Sequence, residues 1–321
     1  MQDHKKPVLR RKKHSSIKHH QSSPTGRKQR HDVGVPRLTP RDLLVLTWIG
    51  QQYALRLDQI QDLLEVFARQ HTHMSESAMR SMIARWEQAG WVYTQRFHAH
   101  EPVWVWLTKK GLQRVGLSYQ YQNLDSLSKH DHEHLYAITQ VRLQLDDGEA
   151  GTEWISERTL VQRVKRVAGR KRVHRPDAVF ACGDDLIAIE VELSRKTVSL
   201  LSSILKSLVH KGDYHGHAYH DLKAREGEDV AQALSEQAWR HYTEVSYYAD
   251  TTIRKHIRRV LAKLVRQGEI SDEEAERISV WWYPFPTTDV EIAQEEHEEN
   301  ASLDLDEDAR PFFSEGGDSN K

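Results

Sequence analysis

One cysteine in 321 residues, Cys182, removes two kinds of construction at once. It excludes an intramolecular disulfide and any zinc site built from cysteines, and it fits a reducing compartment. Long apolar runs are equally scarce. None approaches the ~20 residues that cross a bilayer, and no hydrophobic signal core stands near the N-terminus, so a cytoplasmic protein with no membrane partner is expected. Also missing are the Gly-x-x-x-x-Gly-Lys phosphate loop, the Gly-x-Ser-x-Gly elbow and the Gly-x-Gly-x-x-Gly turn. ATPase, serine-hydrolase and dinucleotide chemistry therefore have nothing to rest on.

Net charge is close to absent as well, at −1, but it is strongly segregated. Residues 1–37 carry 11 Lys/Arg against 2 Asp/Glu, and residues 289–321 carry 12 Asp/Glu against 2 Lys/Arg. Both ends are too polar to build a core, so a disordered basic arm and a disordered acidic tail are predicted. A basic arm finds phosphates and releases their counterions, or else serves only as a solubilising tail. The acidic tail aids solubility, folds back on basic surface or meets a basic partner. Between the ends the balance is neutral, and the length suits two domains.

The first domain, residues 38–118, reads as three helices and a hairpin. "TPRDLLVLTWIGQQ" opens with Thr39 as cap and Pro40 in the first turn, with Leu43, Leu44, Leu46, Trp48 and Ile49 on a buried side. "RLDQIQDLLEVF" spaces Leu57, Ile60, Leu63, Leu64 and Phe67 as a helix does. "SESAMRSMIARWEQAGW" starts at a Ser75 cap, buries Ala78, Met82, Ile83 and Trp86, and stops at Gly90. "WVYTQRF" and "PVWVWLTKKG" are strand-like runs around His98-Ala99-His100-Glu101. This order predicts a winged helix-turn-helix, whose third helix enters the major groove of double-stranded DNA. Its contacts would be Ser77, Arg80, Ser81 and Arg85, with Arg96 and His98 on the wing. A winged helix used for protein pairing, as in a dimer, is the competing reading.

After a linker at 119–130, residues 131–288 alternate helix and strand patterns, as an α/β domain does. "HDHEHLYAITQVRLQL" carries Leu135, Ile138, Val141, Arg142 and Leu145 at helical spacing, and "TEWISERTL" begins a strand. From 158 to 175 there are 8 Lys/Arg and no acids. That segment reads as a solvated basic hairpin or loop, or beside DNA as a phosphate clamp through Arg170, Lys171 and Arg172. "HRPDAVFACGDDLIAIEVELSRK" then gives two strands joined at Gly183-Asp184-Asp185. Side chains alternate along a strand, so Glu190 and Glu192 share one surface, and an antiparallel neighbour brings Asp177 beside them. Carboxylates from two strands suit Mg2+ or Mn2+, and such an ion orients water against a phosphodiester. The same pattern also describes a hairpin with charged edges. A helix follows over 194–211, burying Leu201, Ile204, Leu205 and Leu208. "TEVSYYAD" is a strand, "TTIRKHIRRVLAKLVRQG" a helix closed by Gly268, and "RISVWWYPFP" a last strand stopped by Pro284.

Pro-Asp, then Glu-x-Glu, in the order helix, three strands, helix, strand, resembles the PD-(D/E)XK nuclease fold. Over residues 38–283 the chain resembles the replication-relaxation family of bacterial plasmids and other mobile elements, in which a winged helix is joined to such a domain. The matching stretches are "HEHLYAITQVRLQL", "WISE", "RPDAVF", "IAIEVELS", Lys206 with Tyr214, and "VSYYADTTIRKHI". The resemblance implies DNA binding in replication, relaxation or mobilisation, beside other replication or transfer proteins. It makes Asp177 and Glu190 metal ligands of a nicking site that takes Mg2+ or Mn2+. At position 192 the pattern wants Lys and this chain has Glu, as some restriction endonucleases of that fold do. Glu192 is then a third ligand or a water-orienting base, and Lys196 or Lys206 supplies the ammonium. The alternatives are an inactive relic that binds DNA as an accessory protein or transcriptional regulator, and a hairpin unrelated to nucleases.

Two histidine groups, His130, His132 and His134, and His215, His217 and His220, have a spacing that suits zinc. With 20 histidines spread along the chain, packing or solvated roles are favoured for both.

Overall fold

The computed structural model describes residues 37–68, 74–146, 148–167, 174–209, 223–224, 227–229, 232 and 242–285. Residues 1–36 of the basic arm, the acidic tail, Arg170, Lys171, Arg172, Tyr214 and His215, His217 and His220 lie outside these residues. The chain is of mixed helix and sheet, and no helix among the described residues is long and apolar enough to cross a membrane.

Helix α1 (Pro40–Gln51) starts at a capping box: Thr39 Oγ1 accepts from Asp42 N at 3.2 Å, and the Asp42 carboxylate accepts from Thr39 N at 2.8 Å. Its buried stripe runs through Asp42, Val45, Leu46 and Ile49. Leu43, expected inside, stands off that stripe and is 45% exposed. A strand the sequence did not announce follows, β1 (Ala54–Arg56), too short to show an alternating pattern. Helices α2 (Leu57–Ala68) and α3 (Glu76–Gln88) come next, the latter capped by Ser75 and ended at Gly90, whose φ of +72° suits glycine. In α3 the buried residues are Met79, Met82, Ile83 and Trp86, while Ala78, expected inside, is exposed.

Strands β2 (Val92–Gln95) and β3 (Trp104–Leu107) pair antiparallel, and β1 pairs with β3, giving the order β1-β3-β2. The central strand is buried on both faces. Val105 and Leu107 join the cluster of α1 to α3, and Trp104 and Trp106 join another with Ala54 and Leu124. Short helix α4 (Lys109–Arg114) follows, capped by Thr108. The stretch expected as a linker, 119–130, is packed rather than loose: it holds a 3-10 turn at Leu124–Ser126, and Leu124 is fully buried.

Helix α5 (Lys129–Leu145) carries the second half. It is followed by β4 (Thr152–Ser156), α6 (Glu157–Val167), β5 (Ala178–Cys182), β6 (Asp185–Glu192), α7 (Val198–Val209), β7 (Glu244–Ala249), α8 (Thr251–Arg266), α9 (Asp272–Glu276) and β8 (Ile278–Trp282). The five strands lie in sequence order, with β4, β5 and β6 antiparallel and β7 and β8 parallel to β6. Odd-numbered side chains of β6, Ile189 and Val191, pack with Ala137, Ile138 and Val141 of α5. Ala188 packs on the other face with Leu201 and Leu205 of α7 and Ile253 and Ile257 of α8.

Two expectations change here. The basic stretch from 158 does not begin as a hairpin or loop: α6 runs through it to Val167. Arg158 is buried, donating to the Gly50 carbonyl at 2.6 Å and to the Gln120 carbonyl, with its guanidinium over the Tyr53 and Tyr119 rings. A carbonyl-bound cation between aromatic rings is not offered to phosphate. The helix expected over 194–211 begins only at Val198, because residues 193–197 form a turn that reaches back to β6. The halves are also joined by Arg142, whose guanidinium lies 3.6 Å from the Trp48 ring centre and 5.7 Å from that of Trp154, with Nε donating to Asp146 at 3.0 Å.

Candidate acidic site at the strand ends

Gly183 turns the chain with a φ of +59°, and the two-residue loop sets the register of β5 on β6. Ala178 faces Ile189, so the next pair outward is Asp177 with Glu190. Cross-strand partners share a face, and Glu192 lies two residues on from Glu190, on the same side. On the far flank β7 runs parallel, placing Tyr247 beside Glu190. Three of the expected residues, Asp177, Glu190 and Glu192, thus gather at one end of the sheet, and Lys196 returns to them.

Each acid is engaged by another part of the chain. Asp177 Oδ2 accepts from Val191 N at 2.8 Å and lies 3.3 Å from His134 Nε2, which is also 2.9 Å from the Val191 carbonyl. Glu190 Oε1 is 2.7 Å from His174 Nε2. Glu192 pairs with the Lys196 ammonium, and the Lys196 carbonyl is held by His256 Nε2 of α8 at 2.9 Å.

The electrostatics follow from burial and crowding. Burial raises the pKa of Glu190 and the Asp177 charge adds to that, against His174 and Lys196. Burial lowers the pKa of Lys196, with Glu190 and Asp177 pulling the other way. For His134 burial opposes the charged form, but the hydrogen bond and charge of Asp177 prevail and carry its pKa to about 9. His174 is raised in the same manner by Glu190, again against burial. Glu157, whose backbone N–H donates to the Asp177 carbonyl at 3.1 Å, is raised by burial and then by Asp177.

No family model matches the chain, and no curated protein or solved structure does. The site therefore has to be read from its own geometry.

Among the described residues no three His, Cys, Asp or Glu side chains converge as metal ligands. Asp177, Glu190 and Glu192 share one end of the sheet without converging on a common point, and Glu192 is engaged by Lys196. Asp177, one residue before β5, and Glu190, on β6, remain, and the Asp177 charge adds to burial in raising the pKa of Glu190. Beside them the Tyr247 hydroxyl is buried with no hydrogen-bond partner among the described residues. Two carboxylates next to an unsatisfied donor fit a hard cation that keeps most of its water, the usual habit of Mg2+.

Elsewhere the expected contacts divide. Ser77, Arg80 and Ser81 are exposed on α3; Arg80 is held by Glu76 one turn back, and Ser81 Oγ donates to the Ser77 carbonyl at 2.9 Å. Arg85 is not a free outward cation as expected: it binds the buried Asp42 carboxylate, which also accepts from Trp86 Nε1 at 3.0 Å. Arg96 is exposed but donates to the Glu101 carbonyl at 2.7 Å, bracing the loop between β2 and β3. His98 turns inward, toward the His132 ring. Lys206 pairs with Glu269 at 2.5 Å, not with the acidic site.

Sequence reading misses His134, His174 and Tyr247. Spacing groups His134 with His130 and His132, yet only His132 is a packing residue, stacked on Phe97 at 4.3 Å. His134 reaches Asp177 across 43 positions, which no local pattern reports.

Proposed function

We propose that this protein binds double-stranded DNA through a winged helix and nicks it at the acidic site of a PD-(D/E)XK-like domain, in the replication, relaxation or mobilisation of a plasmid or other mobile element. It would act in the cytosol. The observation that carries the reading is the placing of Asp177 and Glu190 one residue beyond the Ala178–Ile189 pair of β5 and β6, with Lys196 within reach of both charges. Supporting it is the order of α5, three antiparallel strands, α7 and a parallel fourth strand, the order that the resemblance implies once α6, inserted between β4 and β5, is set aside. The α1-β1-α2-α3-β2-β3 order with a β1-β3-β2 sheet supports a winged helix, and α3 offers Ser77, Arg80 and Ser81 to a groove. The Arg80–Glu76 pair is exposed on both sides, so a phosphate displaces Glu76 at little cost.

Mg2+ or Mn2+ at Asp177 and Glu190 would neutralise charge on the phosphodiester and orient a water. The chain's own part is then definable. Lys196, held by Glu192, would supply the ammonium that the family pattern has at position 192, and burial eases loss of its proton. His174 fixes the orientation of Glu190, and His134 with the Val191 amide fixes that of Asp177.

A second reading has one observation in its favour. His174 and Lys196 already engage Glu190 and Glu192, which suits a silent site on a protein that only binds DNA. Supercoiled plasmid with Mg2+ or Mn2+ separates the two. The wild type is expected to yield open circles and the Asp177→Ala/Glu190→Ala variant to bind without cutting. Plasmid left equally intact by both would leave the binding reading alone.

A further inference from the structure

Tyr247 is the side chain that the acidic site does not account for. It is 1% exposed, among the largest fully buried residues, and lies on β7 in register with Glu190. Its ring packs with Ala188, Leu201, Leu205 and Ile253, so the phenol is enclosed by the apolar cluster under α7 and α8. Nothing described accepts a hydrogen bond from its hydroxyl. A buried O–H left without an acceptor is destabilising, and phenylalanine would fill the same apolar space without that cost. An oxygen ligand that accepted from it would remove that cost. The charges of Glu190 and Asp177 both act on the phenol, and with burial they hold it protonated, as a donor.

No carboxylate among the described residues accepts from this hydroxyl, and the bonds that Glu190 and Asp177 make fall on Oε1 of the one and Oδ2 of the other. Glu190 is bound by His174, Asp177 by the Val191 amide and His134, and Glu192 by Lys196. Each acid is held by groups from another direction, and the hydroxyl beside them is left over.

We propose that Tyr247 is a positioning residue of this site, its hydroxyl donating to a water oxygen held against the Asp177–Glu190 pair. Resting on the reading of that pair as a cation site, this places Tyr247 in the hydration shell of a bound divalent ion. The phenol fixes the water's lone-pair direction, so it selects a hydrated ion and disfavours a bare one. Tyr248, one residue on, points to the opposite face and packs with Ala178, Phe180, Ile189 and Val191. It is the natural control.

The experiment is calorimetric titration of Mn2+ into the full chain for the wild type, Asp177→Asn/Glu190→Gln, Tyr247→Phe and Tyr248→Phe. The acidic tail gives a weak background common to all four, and the double variant measures it. Tyr247→Phe is expected to weaken the specific component about fivefold, the worth of one hydrogen bond. Tyr248→Phe should leave it unchanged, with far-UV circular dichroism alike for both phenylalanine variants. Equal Mn2+ affinity in Tyr247→Phe and wild type, above the double variant's background, would overturn the role of Tyr247 and leave the cation pair standing. Equal weakening by Tyr248→Phe would also overturn it, as general loosening of β7. Coincident isotherms for wild type and the double variant would overturn both.

Discussion

His134 illustrates what a single side chain does here. Its Nε2 lies near an acid and a carbonyl, and both acceptors favour a proton on that nitrogen. The folded pKa near 9 exceeds the unfolded value of about 6.5. A group raised on folding adds stability that is full below the unfolded pKa and lost as pH rises through the folded one. The wild type is therefore expected to lose thermal stability between about pH 6.5 and 9, more steeply than His134→Gln. His174 is shifted the same way in both proteins, so their difference isolates His134. Melting temperatures that fall in parallel across that window would show that His134 is not charged in the fold.

Among the elements, α6 departs most from what its sequence suggested. It opens the basic stretch that read as a solvated hairpin or loop, or as a phosphate clamp through the later Arg170, Lys171 and Arg172, yet its first turn is structural. Arg158 draws the Gly50 and Gln120 carbonyls, from α1 and from the packed stretch after α4, onto one guanidinium. Arg158→Ala strands two carbonyls and removes the filler between the Tyr53 and Tyr119 rings. The expected loss is about 3 kcal/mol of unfolding free energy, with Arg158→Lys recovering only part of it, because one ammonium does not span both acceptors. Urea denaturation measures this, and a change under about 0.5 kcal/mol would place Arg158 among ordinary surface cations.

At the scale of the whole molecule, the face of β3 bearing Trp104 and Trp106 is covered by residues beyond the first half. Leu124, Leu127, Leu135 and Tyr136 close over it. A fragment ending at residue 118 would expose both indoles, and exposed apolar faces of that kind associate. Fragment 38–118 is expected to bind a hydrophobic dye and to sediment as aggregates, whereas 38–145 should do neither. A monodisperse, dye-free short fragment would show that the halves are independent. The charged ends act on a different length. If residues 1–37 lie on phosphates, deleting them flattens the dependence of DNA affinity on salt by roughly 0.9 for each phosphate the arm had neutralised. An unchanged slope would assign the arm elsewhere.

Sequence by itself determined the elements whose cause is local. Thr39, Ser75 and Gly90 mark helix ends because caps and positive φ are properties of a few neighbouring residues. The two-residue turn at Gly183 and the period of two along β6 were enough to align Glu190 with Glu192 and to set Asp177 opposite. Tertiary structure alone decided which charges are free. Arg85 and Arg158 look alike in sequence to Arg80, but Asp42 and two carbonyls from distant segments claim them, and only packing brings those partners near. It alone put His134 on Asp177, and left Tyr247 in register with Glu190 with a buried hydroxyl from which no described residue accepts. Local propensity acts over a few residues, whereas burial and pairing are set by whatever the whole chain folds against each side chain.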